Sequence, residues 1–222
     1  MGLARHGRDD EDDGAPRRRF GRPRLRGPVP RCSEPRHLMD AIGGLDDLAE
    51  VLKLPKRIDG TPDWKPQHKV ATAETPPSNL RLAVEATLSV EGVTLEAIKL
   101  HAAASKFEPQ RKVAIQLMVL HRGRWRPFTR IDWRGSPHKN SKDPGFEHHL
   151  RDVGETHVHR LADNAFLGWP GIVASKEDLP NAAPLEELGD FAALLSLAAR
   201  ELCIENLTDI GEPPWEASLT LP

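Results

Sequence analysis

The sequence predicts an α+β fold, in which an antiparallel β-meander of about four to five strands packs against a C-terminal helix. Two periodicities carry this prediction. Apolar and polar residues alternate cleanly along residues 80–90, as they do in a half-buried strand, and residues 112–121 are apolar on both faces, as in a central strand. In residues 184–207 apolar residues instead recur every three to four positions, which is typical of a helix with one buried face.

Five segments have strand patterns, and turn residues separate the first four. Gly92 predicts a tight turn between the first two strands, and the Arg-Gly dipeptide at 122–123 predicts a hairpin between the next two. Pro127 cannot donate a backbone hydrogen bond, which indicates an edge position or a β-bulge. The five segments are 80–90, 93–105, 112–121, 124–133 and 156–162.

The C-terminal helix is predicted to cover one face of this sheet. Glu186 and Glu187 would lie in its first turn, where the helix dipole favours acidic side chains. Its apolar stripe consists of Leu185, Leu188, Phe191, Leu195, Ala198 and Leu202.

Composition divides the chain into four regions, which are 1–38, 39–79, 80–207 and 208–222. The first is rich in Arg and Pro and predicts a disordered extension. Because Met39 opens a segment typical of a natural start, this extension could lie upstream of the true start codon. The second region predicts a short helix and a Pro-rich linker, the third the α+β domain, and the fourth a tail.

Charge is distributed unevenly along the chain, although the net charge is only −2. Residues 1–36 contain ten arginines and six acidic residues. Clustered arginine neutralises phosphates, so a nucleic-acid-binding arm is one interpretation of this region. A passive tail and a non-native extension are the other two.

Cys32 and Cys203 lie in unrelated contexts, which argues against a disulfide framework and against a cysteine-based zinc site. We therefore expect a reducing, cytoplasmic location. No segment approaches the ~18 consecutive apolar residues of a transmembrane helix, so no membrane association is predicted.

Six polar residues in and after the fourth strand form the candidate site. Arg130 and Asp132 are two positions apart and share one face of their strand, and so do His157 and His159 on theirs. His138 and Asn140 would project from the loop between the two strands. If the strand at 156–162 pairs with the strand at 124–133, all six side chains converge at one strand end.

Two chemistries need this mixture of side chains. In metal-free phosphodiester cleavage, a neutral histidine takes the proton of an attacking 2′-hydroxyl and a protonated one donates to the leaving oxygen. Arg130 would neutralise charge on the phosphoryl group, and Asp132 would orient a histidine or pair with Arg130. Alternatively, His138, His157, His159 and Asp132 could bind Zn²⁺, Mn²⁺ or Fe²⁺. No other cofactor is predicted.

Simpler interpretations stay open for several of these residues. Arg130 and Asp132 could be only a same-face ion pair, and His148 and His149 are best read as solvated loop residues. Motifs for nucleoside triphosphates, dinucleotides, α/β-hydrolases and zincins do not occur in the sequence.

The site residues resemble a bacterial family with the pattern Arg-x-Asp-x-x-Gly-x-Pro-His-x-Asn and a later His-x-His. The pattern is also similar to the TumE family of toxin–antitoxin systems, which carries Arg-Tyr-Asp-Asn, Pro-His-His and His-His-x-His. This chain has Trp133 where that family has Asn, and Lys139 where it has a second His. The resemblance covers about residues 80–207 and marks Arg130, Asp132, Gly135, Pro137, His138, Asn140, His157 and His159.

The resemblance implies an α+β domain, a small operon-encoded toxin-like role, and an antitoxin protein as partner. We therefore expect an endoribonuclease-like activity that uses histidine as acid and base. The alternatives are a non-catalytic binding or adaptor protein of a bacterial or phage defence system, and a His/Asp metal-dependent hydrolase.

Overall fold

A computed structural model of the chain describes residues 42–67, 80–140, 143–174 and 179–216. The Arg- and Pro-rich residues 1–38 lie outside this part. The described strands are β1 (Arg57–Ile58), β2 (Lys65–Gln67), β3 (Arg81–Val90), β4 (Val93–Ser105), β5 (Val113–His121), β6 (Arg124–Trp133), β7 (His157–His159) and β8 (Ala183–Pro184). The α-helices are α1 (Leu45–Lys53), α2 (Gly168–Ala174) and α3 (Phe191–Leu202), and 3₁₀ helices cover Ala162–Leu167 and Leu207–Ile210.

All eight described strands join one antiparallel sheet with the order β1-β3-β4-β5-β6-β7-β8, and β2 also pairs with β3. From β3 to β8, neighbours in the sheet are neighbours in the sequence, so the predicted α+β meander is confirmed. The predicted number of strands was too small. The additional strands β1, β2 and β8 have only two or three residues each, and their sequences, Arg-Ile, Lys-Pro-Gln and Ala-Pro, have no alternating pattern that would predict a strand.

Both predicted turns join strands through two-residue loops. Glu91 and Gly92 have φ of 50° and 78°, and Arg122 and Gly123 have φ of 48° and 72°. Positive φ at both loop positions is the requirement of a type I′ hairpin, and glycine meets it without strain. Pro127 lies at a register shift in β6, so the predicted bulge is confirmed.

One face of the sheet forms the hydrophobic core, and α1 and α3 pack against it. Phe191 of α3 lies at the centre of this packing, with its ring 6.3 Å from that of Trp133 in β6. The opposite face is polar across β3 to β6, where its side chains include those of Glu85, His101, Gln116, Arg130 and Asp132. No helix among the described residues is long and apolar enough to span a membrane.

The C-terminal helix begins later than the sequence predicted. Asp190 is its N-cap, with a carboxylate that accepts a hydrogen bond from the Ala193 amide at 2.8 Å. Glu186 and Glu187 therefore precede the helix. Leu185 and Leu188 still pack against the core, which explains why they matched the apolar pattern.

Residues 42–67 belong to the domain, although the sequence predicted a linker for part of them. The Lys56 amide donates to the Cys203 carbonyl at 2.7 Å, and the Lys56 carbonyl accepts from the Glu205 amide. Trp64 is buried, with its ring 6.4 Å from that of Phe191. The predicted tail also contacts this cluster, because the Trp215 ring lies 5.5 Å from that of Phe191. The domain therefore includes residues on both sides of the predicted limits.

We expect Trp64→Ala to lower the free energy of unfolding by about 3–5 kcal/mol, as truncation of a buried aromatic side chain does. The variant also loses hydrogen bonds from the indole to the Ile210 and Gly211 carbonyls. Urea unfolding of the full chain, followed by circular dichroism, measures this loss. Trp125→Ala is the matched control, because Trp125 is only partly buried. An equal loss in both variants would contradict the packing of Trp64 on the core.

Candidate functional site

The pairing of β6 with β7 brings the two halves of the predicted motif together. Asp132 lies opposite His157, and Arg130 lies opposite His159. Ile131 and Val158 form the pair between them and point into the core. Because side chains alternate across a strand, the four polar residues share the other face. The pairing that the sequence analysis required is therefore present.

These four residues form a contact group, which we call the Asp132 cluster (Arg130, Asp132, His157 and His159). The Oδ1 atom of Asp132 accepts from Arg130 Nε at 2.9 Å and lies 2.7 Å from Arg130 Nη2. Its Oδ2 atom lies 3.3 Å from His157 Nε2 and 3.4 Å from His159 Nε2. Asp132, His157 and His159 are 5%, 2% and 5% exposed. The aspartate and the two histidines are thus nearly sealed from solvent, whereas the Arg130 side chain is partly exposed.

The other ring nitrogens of the two histidines fix their tautomers. His157 Nδ1 lies 3.0 Å from the Gly154 carbonyl oxygen, and His159 Nδ1 lies 3.1 Å from the Asn181 carbonyl oxygen. A carbonyl oxygen can only accept, so each Nδ1 carries a proton, and in a neutral ring Nε2 then has none. Oδ2 of Asp132 has no hydrogen-bond partner among the described residues. Three atoms that can each accept a hydrogen bond therefore lie close together.

The charge states follow from this environment. Burial alone would raise the pKa of Asp132, but the Arg130 guanidinium, which is charged and donates to Oδ1, holds it well below its ordinary value. The carboxyl group is therefore ionised at neutral pH. Burial lowers the pKa of His159 in spite of the adjacent Asp132 carboxylate, which keeps this ring neutral.

His138 lies beside the cluster but is oriented differently. Its ring centre is 5.6 Å from that of His157 and 5.0 Å from that of His159. Its Nε2 lies 2.7 Å from the Pro180 carbonyl oxygen and so donates to it, which leaves Nδ1 unprotonated in the neutral ring. The histidines that can share one metal ion with Asp132 are His157 and His159, and among the described residues His138 does not join that group.

Asn140 supports the site from within the protein. It is fully buried, and its Nδ2 donates to the His148 and Ala182 carbonyls at 3.0 and 2.8 Å. Its Oδ1 accepts from the Ala182 amide at 2.9 Å. Both of its N–H groups are used within the protein, so the structure assigns Asn140 a positioning role.

A segment that no sequence pattern predicted orients these side chains. Three consecutive carbonyls, those of Pro180, Asn181 and Ala182, accept from His138, His159 and Asn140 respectively. We call residues 180–182 the carbonyl segment. A signal for it exists in the sequence, because Asn181 stands between apolar residues.

A buried pair of amides holds the carbonyl segment in place. The Asn181 amide N–H donates to Asn164 Oδ1, and Asn164 Nδ2 donates to the Asn181 carbonyl, both at 2.9 Å. Both residues are fully buried. Since an unsatisfied polar group would be costly there, these reciprocal bonds fix the segment and with it the His159 ring.

A cavity of about 350 Å³ opens in front of the cluster, a size typical of small-ligand sites. Asp132 is the one acidic residue among those described as lining it. Three histidines also line it, whereas His148 and His149 do not. The basic residues that line it are Arg81, Lys112, Arg130 and Lys139. This excess of positive charge favours an anionic ligand.

Comparison of the chain with models of protein families, with curated proteins and with solved structures gives no significant match. The resemblance to the TumE family therefore stays a prediction, and the function has to be argued from the geometry of the site.

We expect Asn140→Ala to lower the free energy of unfolding by about 2 kcal/mol or more, because it leaves buried carbonyl and amide groups of the chain without partners. Urea unfolding measures the change. Asn206→Ala is a control of the same type, since Asn206 also bonds to backbone groups but lies against β1, away from the cavity. Asn206→Ala should lower stability but leave the NMR signals of the site histidines unchanged, whereas Asn140→Ala should shift those signals. An Asn140→Ala variant with unaltered stability would contradict the positioning role.

Proposed function

We propose that the protein binds RNA in this cavity and cleaves a phosphodiester bond there. One observation carries the proposal: groups suited to phosphate binding and proton transfer lie together, in a cavity with four basic lining residues and one acidic one. This composition suits a polyanion better than a neutral substrate.

Arg130 is the group we assign to the phosphate. Its side chain is 33% exposed, and its contacts with Asp132 use Nε and Nη2. Nη1 can therefore donate to a phosphoryl oxygen while Asp132 holds the guanidinium in place. A fixed cation at this point stabilises the charge that develops on the phosphoryl group in the transition state.

His138 is the group we assign to proton transfer. The Pro180 carbonyl fixes the proton on Nε2, so Nδ1 can accept the proton of a ribose 2′-hydroxyl. The deprotonated oxygen would then attack phosphorus, and the bond from phosphorus to the 5′-oxygen would break. The leaving oxygen would take its proton from water in the open cavity, and the products would be a 2′,3′-cyclic phosphate and a 5′-hydroxyl end.

His157 and His159 suit a different role from the one predicted for a catalytic acid. Both are almost fully buried, and both use Nδ1 for a backbone carbonyl. In this function their rings pack beside Asp132 and shield it from solvent, and Asp132 in turn holds Arg130. The toxin–antitoxin role, with an antitoxin partner, rests on the residue pattern alone. A non-catalytic adaptor would not require three imidazole rings within 5.6 Å of each other, so the clustering favours a catalytic site.

We expect His138→Ala to abolish RNA cleavage and growth inhibition, because it removes the proton acceptor while leaving the core untouched. Expression of the full chain, with growth and RNA integrity scored together, measures the effect. His157→Ala should also lose activity through displacement of Asp132. His149→Ala is the matched control, since His149 does not line the cavity. Full activity of both His138→Ala and His157→Ala would favour the adaptor function.

Arg81→Gln should weaken RNA binding mainly through charge. Arg81 is exposed and lines the cavity at β3. We expect the slope of log affinity against log salt to fall in magnitude by about 0.7–0.9, which corresponds to one phosphate contact fewer. Fluorescence anisotropy with a short single-stranded RNA, in the His138→Ala background, measures the slope. Arg122→Gln, in the β5–β6 turn, is the control, and an equal change there would argue against RNA binding in the cavity.

A further inference from the structure

We propose that Asp132, His157 and His159 form a binding site for one divalent transition-metal ion of the Zn²⁺ type. The ligand atoms would be Asp132 Oδ2, His157 Nε2 and His159 Nε2, which all lie within 4.8 Å of one another. Two imidazole nitrogens and one carboxylate oxygen are a ligand set that Zn²⁺ uses in catalytic sites. The inference does not depend on RNA being the substrate.

The distances between the ligand atoms fit such an ion. Oδ2 lies 3.3 and 3.4 Å from the two Nε2 atoms. Ligands that each lie ~2.0–2.1 Å from a tetrahedral ion are separated from one another by ~3.3–3.4 Å. The distances from Oδ2 to the two Nε2 atoms therefore need no side-chain rearrangement for the ion to bind.

The orientation of the two rings also favours a cation. Because the Gly154 and Asn181 carbonyls accept from Nδ1, the Nε2 atom of each ring is the one turned toward Asp132 Oδ2. Three atoms that can each offer a lone pair therefore lie together in a buried place, and Oδ2 has no hydrogen-bond partner among the described residues. One metal ion satisfies all three atoms.

The surroundings supply the outer contacts that metal ligands usually have. The Nδ1–H group of each histidine donates a hydrogen bond to a backbone carbonyl, and Oδ1 of Asp132 accepts one from Arg130 Nε. Such contacts fix ring orientation and raise the basicity of the ligand. The carbonyl segment thus orients His159, which is a proposed metal ligand, as well as His138.

The charge at the site indicates what would complete the coordination. Arg130 already balances the Asp132 carboxylate, so a divalent ion would add two positive charges to a cavity with an excess of basic residues. An anionic oxygen from the cavity side would offset this charge. On the proposed function, which this one step assumes, a phosphate oxygen of the substrate occupies that position.

The test is titration of the chelator-treated full chain with Zn²⁺ at pH 7.5, by isothermal calorimetry. We expect one Zn²⁺ per chain and a higher melting temperature of the Zn²⁺-bound protein. Asp132→Asn and His159→Gln should each weaken binding by more than about 100-fold. His121→Ala is the matched control, because His121 lies at the end of β5 that is far from Asp132. This variant should bind Zn²⁺ like the wild type.

Substitution with Co²⁺ gives a second measurement that does not depend on activity. A tetrahedral site with two imidazoles should give visible absorption bands, and these should be absent from Asp132→Asn. Circular dichroism shows whether that variant is folded. If it is not, competition of the wild-type chain against a colorimetric chelator still decides whether a stoichiometric site exists.

The outcomes separate this inference from the proposed function. Zn²⁺ binding without RNA cleavage would support the metal site and contradict the proposed function. RNA cleavage by a chain that binds no Zn²⁺ or Co²⁺ would overturn the metal site and indicate a cluster bridged by a proton. Equal Zn²⁺ binding by the wild type, Asp132→Asn and His159→Gln would also overturn it, because the ion would then lie elsewhere.

Discussion

The register between β6 and β7 is the constraint on which the site depends. With Asp132 opposite His157 and Arg130 opposite His159, four polar side chains share one face, while Ile131 and Val158 share the core face. A slip of one residue would turn the histidines into the core and Val158 toward the cavity. The burial of Ile131 and Val158 therefore fixes the register on which the site depends.

The second determinant is the carbonyl segment, which fixes the orientation of the site side chains at the end of β6 and β7. Its three carbonyls hold one nitrogen of His138, one of His159 and the amide of Asn140. Backbone carbonyls cannot rotate away as side chains can, so the proton positions on both rings are set by the fold. Asn164 and Asn181 complete the network, and polar burial at this point gives orientation as well as stability.

Local patterns in the sequence determined the main sheet and part of the site. The sequence predicted strands β3 to β6 from alternating or continuously apolar segments, both two-residue turns from Gly92 and Gly123, and the bulge from the missing amide of Pro127. The shared face of Arg130 and Asp132, and that of His157 and His159, follow from the two-residue period of strands. These features need only interactions between residues close in the chain.

Tertiary structure alone decided the remaining features, because they depend on partners that are distant in the sequence. Strands β1, β2 and β8 have only two or three residues each, and they form where a longer neighbour supplies the hydrogen bonds. Asn140 has a positioning role because the backbone of Ala182 lies within hydrogen-bond distance of its side chain. The sequence by itself determined which polar side chains share a strand face. Which of their atoms face one another, and which hold a proton, was decided by backbone carbonyls that only the folded chain brings beside them.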